Sequence, residues 1–133
     1  MNPLNPGDLP NVVRIALVDD DLSMRKALSR LLSTHGYTCK TYESGEEALA
    51  DPALLRVDCL VVDIQLGGID GIELCERVHA LGSSVPHVFI TASTNRNLPE
   101  SPSHIRDSIL LFKPIEENDL IDSIQRSIAA RLQ

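Results

Sequence analysis

Four short apolar runs in this 133-residue chain each end on a polar residue capable of chemistry. Ile15-Ala16-Leu17-Val18 leads into Asp19-Asp20-Asp21, and Cys59-Leu60-Val61-Val62 into Asp63. Val88-Phe89-Ile90 leads into Thr91, and Ile109-Leu110-Leu111-Phe112 into Lys113. Runs of this length fit buried strands, and the helix-like stretches between them are the crossovers that parallel strands need. The pattern predicts an α/β domain with a parallel sheet covered on both faces. Such sheets carry their sites outside the carboxyl ends of the strands, which is where the four polar elements fall.

The intervening segments agree. Val13 to Val18 reads as a strand, and Leu22 to His35 as a helix whose apolar stripe is Met24, Ala27, Leu28, Leu31 and Leu32. Gly36 suits the left-handed position that closes a helix, and the less apolar Tyr37 to Tyr42 suits an edge strand. Ser44-Gly45-Glu46-Glu47 has capping-box spacing, so a second helix starts there and Pro52 ends or bends it. Asp58 to Asp63, Gly71 to Leu81, His87 to Thr91, Ile109 to Phe112 and Glu116 to Leu132 continue the alternation of strand and helix. Asn95 to Ser108 contains Pro99 and Pro102, so a helix there is short or displaced. Residues 1–12, with Pro3, Pro6, Gly7 and Pro10, read as a flexible tail, leaving one domain over residues 13–133.

At 43% hydrophobic the chain has the apolar content of one globular domain. A net charge of −7 argues against direct nucleic-acid binding or an anionic membrane surface. No apolar stretch approaches a membrane span, and Met1 to Asn11 lacks the basic flank and apolar core of a leader, so the expected location is the cytoplasm. Cys39, Cys59 and Cys75 read as reduced core or near-core residues. His35 suits a helix end, where its cationic form complements the dipole, and His79, His87 and His104 show no metal-ligand spacing.

Convergence of Asp19, Asp20 and Asp63 would set carboxylates against each other, at roughly 4 kcal/mol per pair for a 4 Å separation and an effective dielectric near 20. Such a cluster invites a hard divalent cation, of which Mg2+ fits oxygen-only donors at a wet rim. Lys113 and the Thr91 hydroxyl would complete a cradle for a phosphoryl group, with a carboxylate as nucleophile. Taken singly, each residue has a plainer reading: Asp21 and Asp20 as helix caps, Thr91 as a strand end, Lys113 as a solvated charge.

Val18-Asp19-Asp20-Asp21, Asp63-Ile64-Gln65-Leu66 with Asp70-Gly71, Thr91-Ala92 and Lys113-Pro114 together resemble the receiver domain of bacterial response regulators, over about Val13 to Ala130. The resemblance implies a flavodoxin-like, doubly wound sheet of order 2-1-3-4-5 flanked by about five helices, the fourth irregular. It implies that Asp63 is the phosphoacceptor. Asp20, Asp63 and the backbone carbonyl of Gln65 would hold Mg2+, with Asp19 supporting the ion largely through water. Thr91 would bond the phosphoryl group and move on phosphorylation, Lys113 would pair with a phosphoryl oxygen, and the bond before Pro114 would be cis. Gln65 and Ser93 would tune water access to the phosphoryl group. The implied partners are a histidine kinase or phosphotransfer protein, for which Met24 and Leu28 are a candidate docking face, and a downstream protein or an output domain. A homodimer stays open, as does the choice between a stand-alone and an excised receiver. Such a protein is a switch and not an enzyme, beyond assisting its own phosphorylation and dephosphorylation.

The chain departs from the family at Leu110, where an aromatic switch residue is common, and at Gly67, where a proline is common. Asp107-Ser108 replaces a small pair before the last strand, and Pro99 and Pro102 fall within the usual fourth helix. Two other readings compete. A haloacid-dehalogenase-like phosphohydrolase wants an Asp two residues after the nucleophile, where this chain has Gln65. A pseudo-receiver would keep the fold as a binding module and ignore phosphate.

Overall fold

The computed structural model describes residues 12–92 and 109–131. Most of the expected tail, Ser93 and the segment from Asn95 to Ser108 lie outside the described residues. The elements are Arg14–Val18 (β1), Leu22–Thr34 (α1), Thr38–Tyr42 (β2), Gly45–Leu49 (α2), Cys59–Asp63 (β3), Gly71–Ala80 (α3), His87–Thr91 (β4), Ile109–Phe112 (β5) and Glu117–Arg131 (α4). All pairings are parallel and the order is β2-β1-β3-β4-β5, the doubly wound arrangement expected from the sequence.

Local chemistry sets the boundaries. Asp21 caps α1 by accepting from the amides of Ser23 and Met24, which supplies the plain role foreseen for it. Gly36, with φ of 84°, turns the chain out of α1. Ser44 caps α2 through the Glu47 amide at 3.0 Å. That helix ends at Leu49, ahead of Pro52, which instead opens a separate 3-10 turn, Pro52–Arg56. Asp70 caps α3 through the Glu73 amide at 2.8 Å.

Strand alternation divides the apolar residues between two cores. Ala16, Val18, Leu60 and Val62 pack on one face with Ala48, Leu74, Cys75 and Val78 of α2 and α3. Ile15, Leu17, Cys59 and Val61 pack on the other with Leu28 and Leu32 of α1 and Leu120 and Ile124 of α4. All five residues of β3 are buried, because both faces of the central strand are covered. The three cysteines are free, Cys59 and Cys75 buried and Cys39 half-buried.

The start of α3 lies hard against the end of β3 at Gly71. A Cβ there would overlap the Asp63 carbonyl oxygen and stand 2.8 Å from Val62 Cγ1 and 2.9 Å from Ile64 Cα. Two of those three are backbone atoms, which cannot swing aside. Gly71→Ala is therefore expected to cost about 2 kcal/mol of stability, the range for overpacking, read as a lower urea midpoint at unchanged m value.

Candidate functional site

Strand register brings the polar elements to one rim. Val18 pairs with Val62, so Asp19 and Asp63 stand on neighbouring strands. Asp63 pairs with Ile90, Thr91 pairs with Phe112, and the Lys113 amide donates to the Thr91 carbonyl at 2.8 Å. Asp19 is fully buried, while Asp63 and Thr91 are 4% and 2% exposed.

Side-chain oxygens of Asp19, Asp20 and Asp63 lie within 4.8 Å of one another, with Asp20 on the solvent side. The Lys113 ammonium donates to Asp19 Oδ2 at 3.1 Å and to Asp63 Oδ2 at 3.0 Å. The remaining oxygens are held locally: Asp19 Oδ1 accepts from the Asp21 amide at 2.9 Å, and Asp63 Oδ1 from the Gln65 amide at 2.8 Å. An ionised carboxylate offers about four lone-pair sites, so each retains acceptor capacity beyond these two bonds. The cluster is anionic, ordered and open to solvent through Asp20.

The electrostatics follow from burial. Burial pushes the Asp63 carboxyl above its ordinary 3.8; the Gln65 amide and Lys113 pull it back without cancelling that, and Asp19 adds to the rise. Burial works against the Lys113 ammonium, yet Asp63 and Asp19 together hold its pKa above 10.5. For Asp63 the folded chain binds the proton more tightly than the unfolded chain, so its ionisation costs stability. That cost grows as pH rises from 3.8 through the raised folded value and is constant above it. Urea midpoints in chelator should thus move in favour of Asp63→Asn over the wild type as pH rises from 3.8 to neutrality.

Several expectations can be placed. The Lys113-Pro114 bond is cis. Gln65 is exposed and lies two residues past the strand end, its amide on Asp63. Leu110 is half-buried, pairs with Phe89, and packs into the α2–α3 core. Leu28 is buried in the α1–α4 core, which removes it from the candidate docking face and leaves Met24 half-buried there. Arg25 was missed. Its guanidinium donates to the Asp19 carbonyl at 2.7 Å and lies 3.8 Å from Glu43, tying α1 to the ends of β1 and β2. The available signal was a basic residue in the first turn of a helix, where the dipole disfavours one.

Comparison with known proteins decides the family: the response regulator receiver domain family matches residues 15–125. The chain belongs to it. Its members are signalling modules of two-component systems, and phosphorylation-dependent switching is their general role. Response regulator MprA of Mycobacterium ulcerans is 41% identical over 80 residues, covering 60% of this chain and 34% of that protein. The matched segment thus spans about a third of such relatives. A CheY-like receiver from Methanospirillum hungatei shares the fold at a TM-score of 0.77 and 22% identity, covering 90% of this chain and 96% of that one. TrrA from Thermotoga maritima, solved in complex with Mg2+ and BeF, superposes at a TM-score of 0.73 and 25% identity, covering 86% of this chain and 97% of its own. Among the described residues of the receiver, no helix is long and apolar enough to cross a membrane.

Proposed function

We propose that this receiver accepts a phosphoryl group on Asp63 from a histidine kinase or phosphotransfer protein, with Mg2+, and changes a partner-binding face in response. The observation that carries the reading is the Lys113 ammonium set between two buried carboxylates on different strands, at 3.1 and 3.0 Å. Here it stands beside the acceptor, ready to move to a phosphoryl oxygen.

The residues fit a bound Mg2+. Three carboxylates with spare lone pairs, one of them solvent-facing, are the hard oxygen set that ion selects, and Asp19, Asp20, Asp63 and the Gln65 carbonyl would hold it. When bound, the ion would neutralise charge on the transferring oxygens. An Asp63 oxygen forms its bond to phosphorus as the bond to the donor's imidazole nitrogen breaks, and that nitrogen leaves with its electron pair. Lys113 stabilises the charge gathering on the phosphoryl oxygens, and Thr91 offers its hydroxyl from the adjoining strand end. That TrrA, of the same fold and 25% identical, was solved with Mg2+ and BeF supports the Mg2+ reading here.

The added group brings about −1.5 to −2 charges to a rim that is already acidic. Thr91 responds by drawing toward the phosphoryl oxygens, and a downstream protein or an output domain reads the altered face. The location expected is the cytoplasm, where such kinases present their phosphohistidines. Titration with Mg2+ and beryllofluoride tests this through amide spectra. Large shifts at Gln65, Thr91 and Lys113 are expected, and spectra unchanged by either addition would instead favour a pseudo-receiver.

A further inference from the structure

The loop from Ile64 to Asp70 carries Gln65, and it is fastened well at its two ends. Gln65 is bonded to Asp63, Leu66 is 9% exposed, the Gly71 amide donates to the Ile64 carbonyl at 3.0 Å, and Asp70 caps α3. Its middle is intrinsically loose. Gly67 has open space where a side chain would be, and Gly68 sits at φ of 73°. Two successive glycines lower the cost of many alternative backbones.

One turn of α2 reaches across to that middle. The Ile69 amide donates to Glu46 Oε2 at 3.1 Å. The Ile69 side chain lies over Gly45, where a Cβ would stand 2.6 and 2.8 Å from its Cγ1 and Cδ1. A Cβ on Gly68 would overlap the Glu46 carboxylate. Three contacts from Gly45 and Glu46 therefore fall on Gly68 and Ile69, and an amide bonded to an ionised carboxylate is among the stronger hydrogen bonds.

We propose that Glu46 is a positioning residue that clamps the loop after Asp63 and so holds the Gln65 carbonyl where a metal ion at the aspartate cluster can use it. The proposal rests on the Mg2+ reading above. It assigns Glu46 a role at the site although it stands on a helix that contributes no residue to the cluster. Where a proline would stiffen the loop from within, Gly67 and Gly68 leave that task to a side chain from outside.

A plainer role is an acidic residue favouring the first turn of α2 through the helix dipole. Two conservative variants separate these roles. Glu46→Gln keeps reach and an acceptor oxygen but loses charge, whereas Glu46→Asp keeps charge and loses reach. Mg2+ affinity is read from amide shifts on titration with the chloride salt, alongside amide hydrogen exchange at Gln65 and Ile69, well below the unfolding temperature. Glu46→Ala and Glu46→Asp are expected to bind Mg2+ about fivefold more weakly, or about 1 kcal/mol, and to exchange faster at Ile69. Glu46→Gln, which keeps the hydrogen bond but not its charge, should lose less than either. Wild-type affinity in Glu46→Ala overturns the clamp, as does a pattern in which Asp rescues and Gln does not. If the wild type itself fails to bind Mg2+, the metal reading falls, and unchanged exchange at Gln65 and Ile69 in Glu46→Ala then overturns the clamp on its own.

Discussion

Asp63→Asn is expected to reduce Mg2+-dependent labelling by a small phosphodonor to background, a loss of about 10³-fold or more, as for removal of a nucleophile that nothing replaces. The carboxamide fills almost the same volume, and its one acceptor oxygen can still take the Gln65 amide at the expense of the Lys113 bond. What it lacks is the anionic oxygen that attacks phosphorus. Stability should not fall, because one of three clustered carboxylates has been neutralised and the Asp63 carboxyl, held above 3.8 by burial, no longer has to ionise in the folded chain. Thermal denaturation in the same buffer separates lost chemistry from lost fold. Labelling of Asp63→Asn at the wild-type level would mean that another residue is the acceptor, and the proposed function would fail with it.

Lys113→Ala carries the largest expected stability effect. The ammonium is 15% exposed and bonds two carboxylates that are 0% and 6% exposed in their side chains, so its removal leaves two buried negative charges facing each other. Breaking such a pair from one side costs about 3 kcal/mol. Because Lys113 has a folded pKa above 10.5, its contribution is fully present below 10.5 and is lost as pH rises through the folded value. The gap between wild type and variant should accordingly close at strongly alkaline pH. Asp63→Asn in the same chain should recover part of the loss, by a coupling of about 1 kcal/mol or more, since the two groups are in direct contact. Urea midpoints of the four proteins give that coupling. Strict additivity would show that the bond at 3.0 Å contributes nothing. Phosphodonor labelling of Lys113→Ala, measured where the variant is still folded, should fall as well.

Most of the fold was legible because the strands announce themselves. β1, β3, β4 and β5 are apolar runs with abrupt polar ends, and His87–Thr91 and Ile109–Phe112 agree residue for residue with the expectation. The site was legible for the same reason, since a residue just past a strand end has its place fixed by register. What the sequence hid was chemistry between elements distant along the chain. Arg25 on the Asp19 carbonyl and Glu46 on the Ile69 amide depend on how α1 and α2 lie over the sheet, which no local pattern encodes. The 3-10 turn of Pro52–Arg56 was hidden differently, since a proline that ends one helix and opens a shorter one reads as a breaker alone.

The burial of β3 on both faces leaves it with a problem of address. In a strand with one wet face, a slip by one residue would turn apolar side chains outward and be rejected at once. In Cys59-Leu60-Val61-Val62 a slip exchanges one aliphatic set for another, so hydrophobicity discriminates poorly between the alternatives. The flanking aspartates discriminate well. Asp58 exchanges bonds with the Arg14 backbone, both at 2.8 Å, and Asp63 meets Lys113 at the other end. Sliding the strand either way would drag a charge into the sheet without its partner. The carboxylate that the proposed chemistry uses thus also serves as an end stop, and the central strand finds its alignment from the two charges that bracket it.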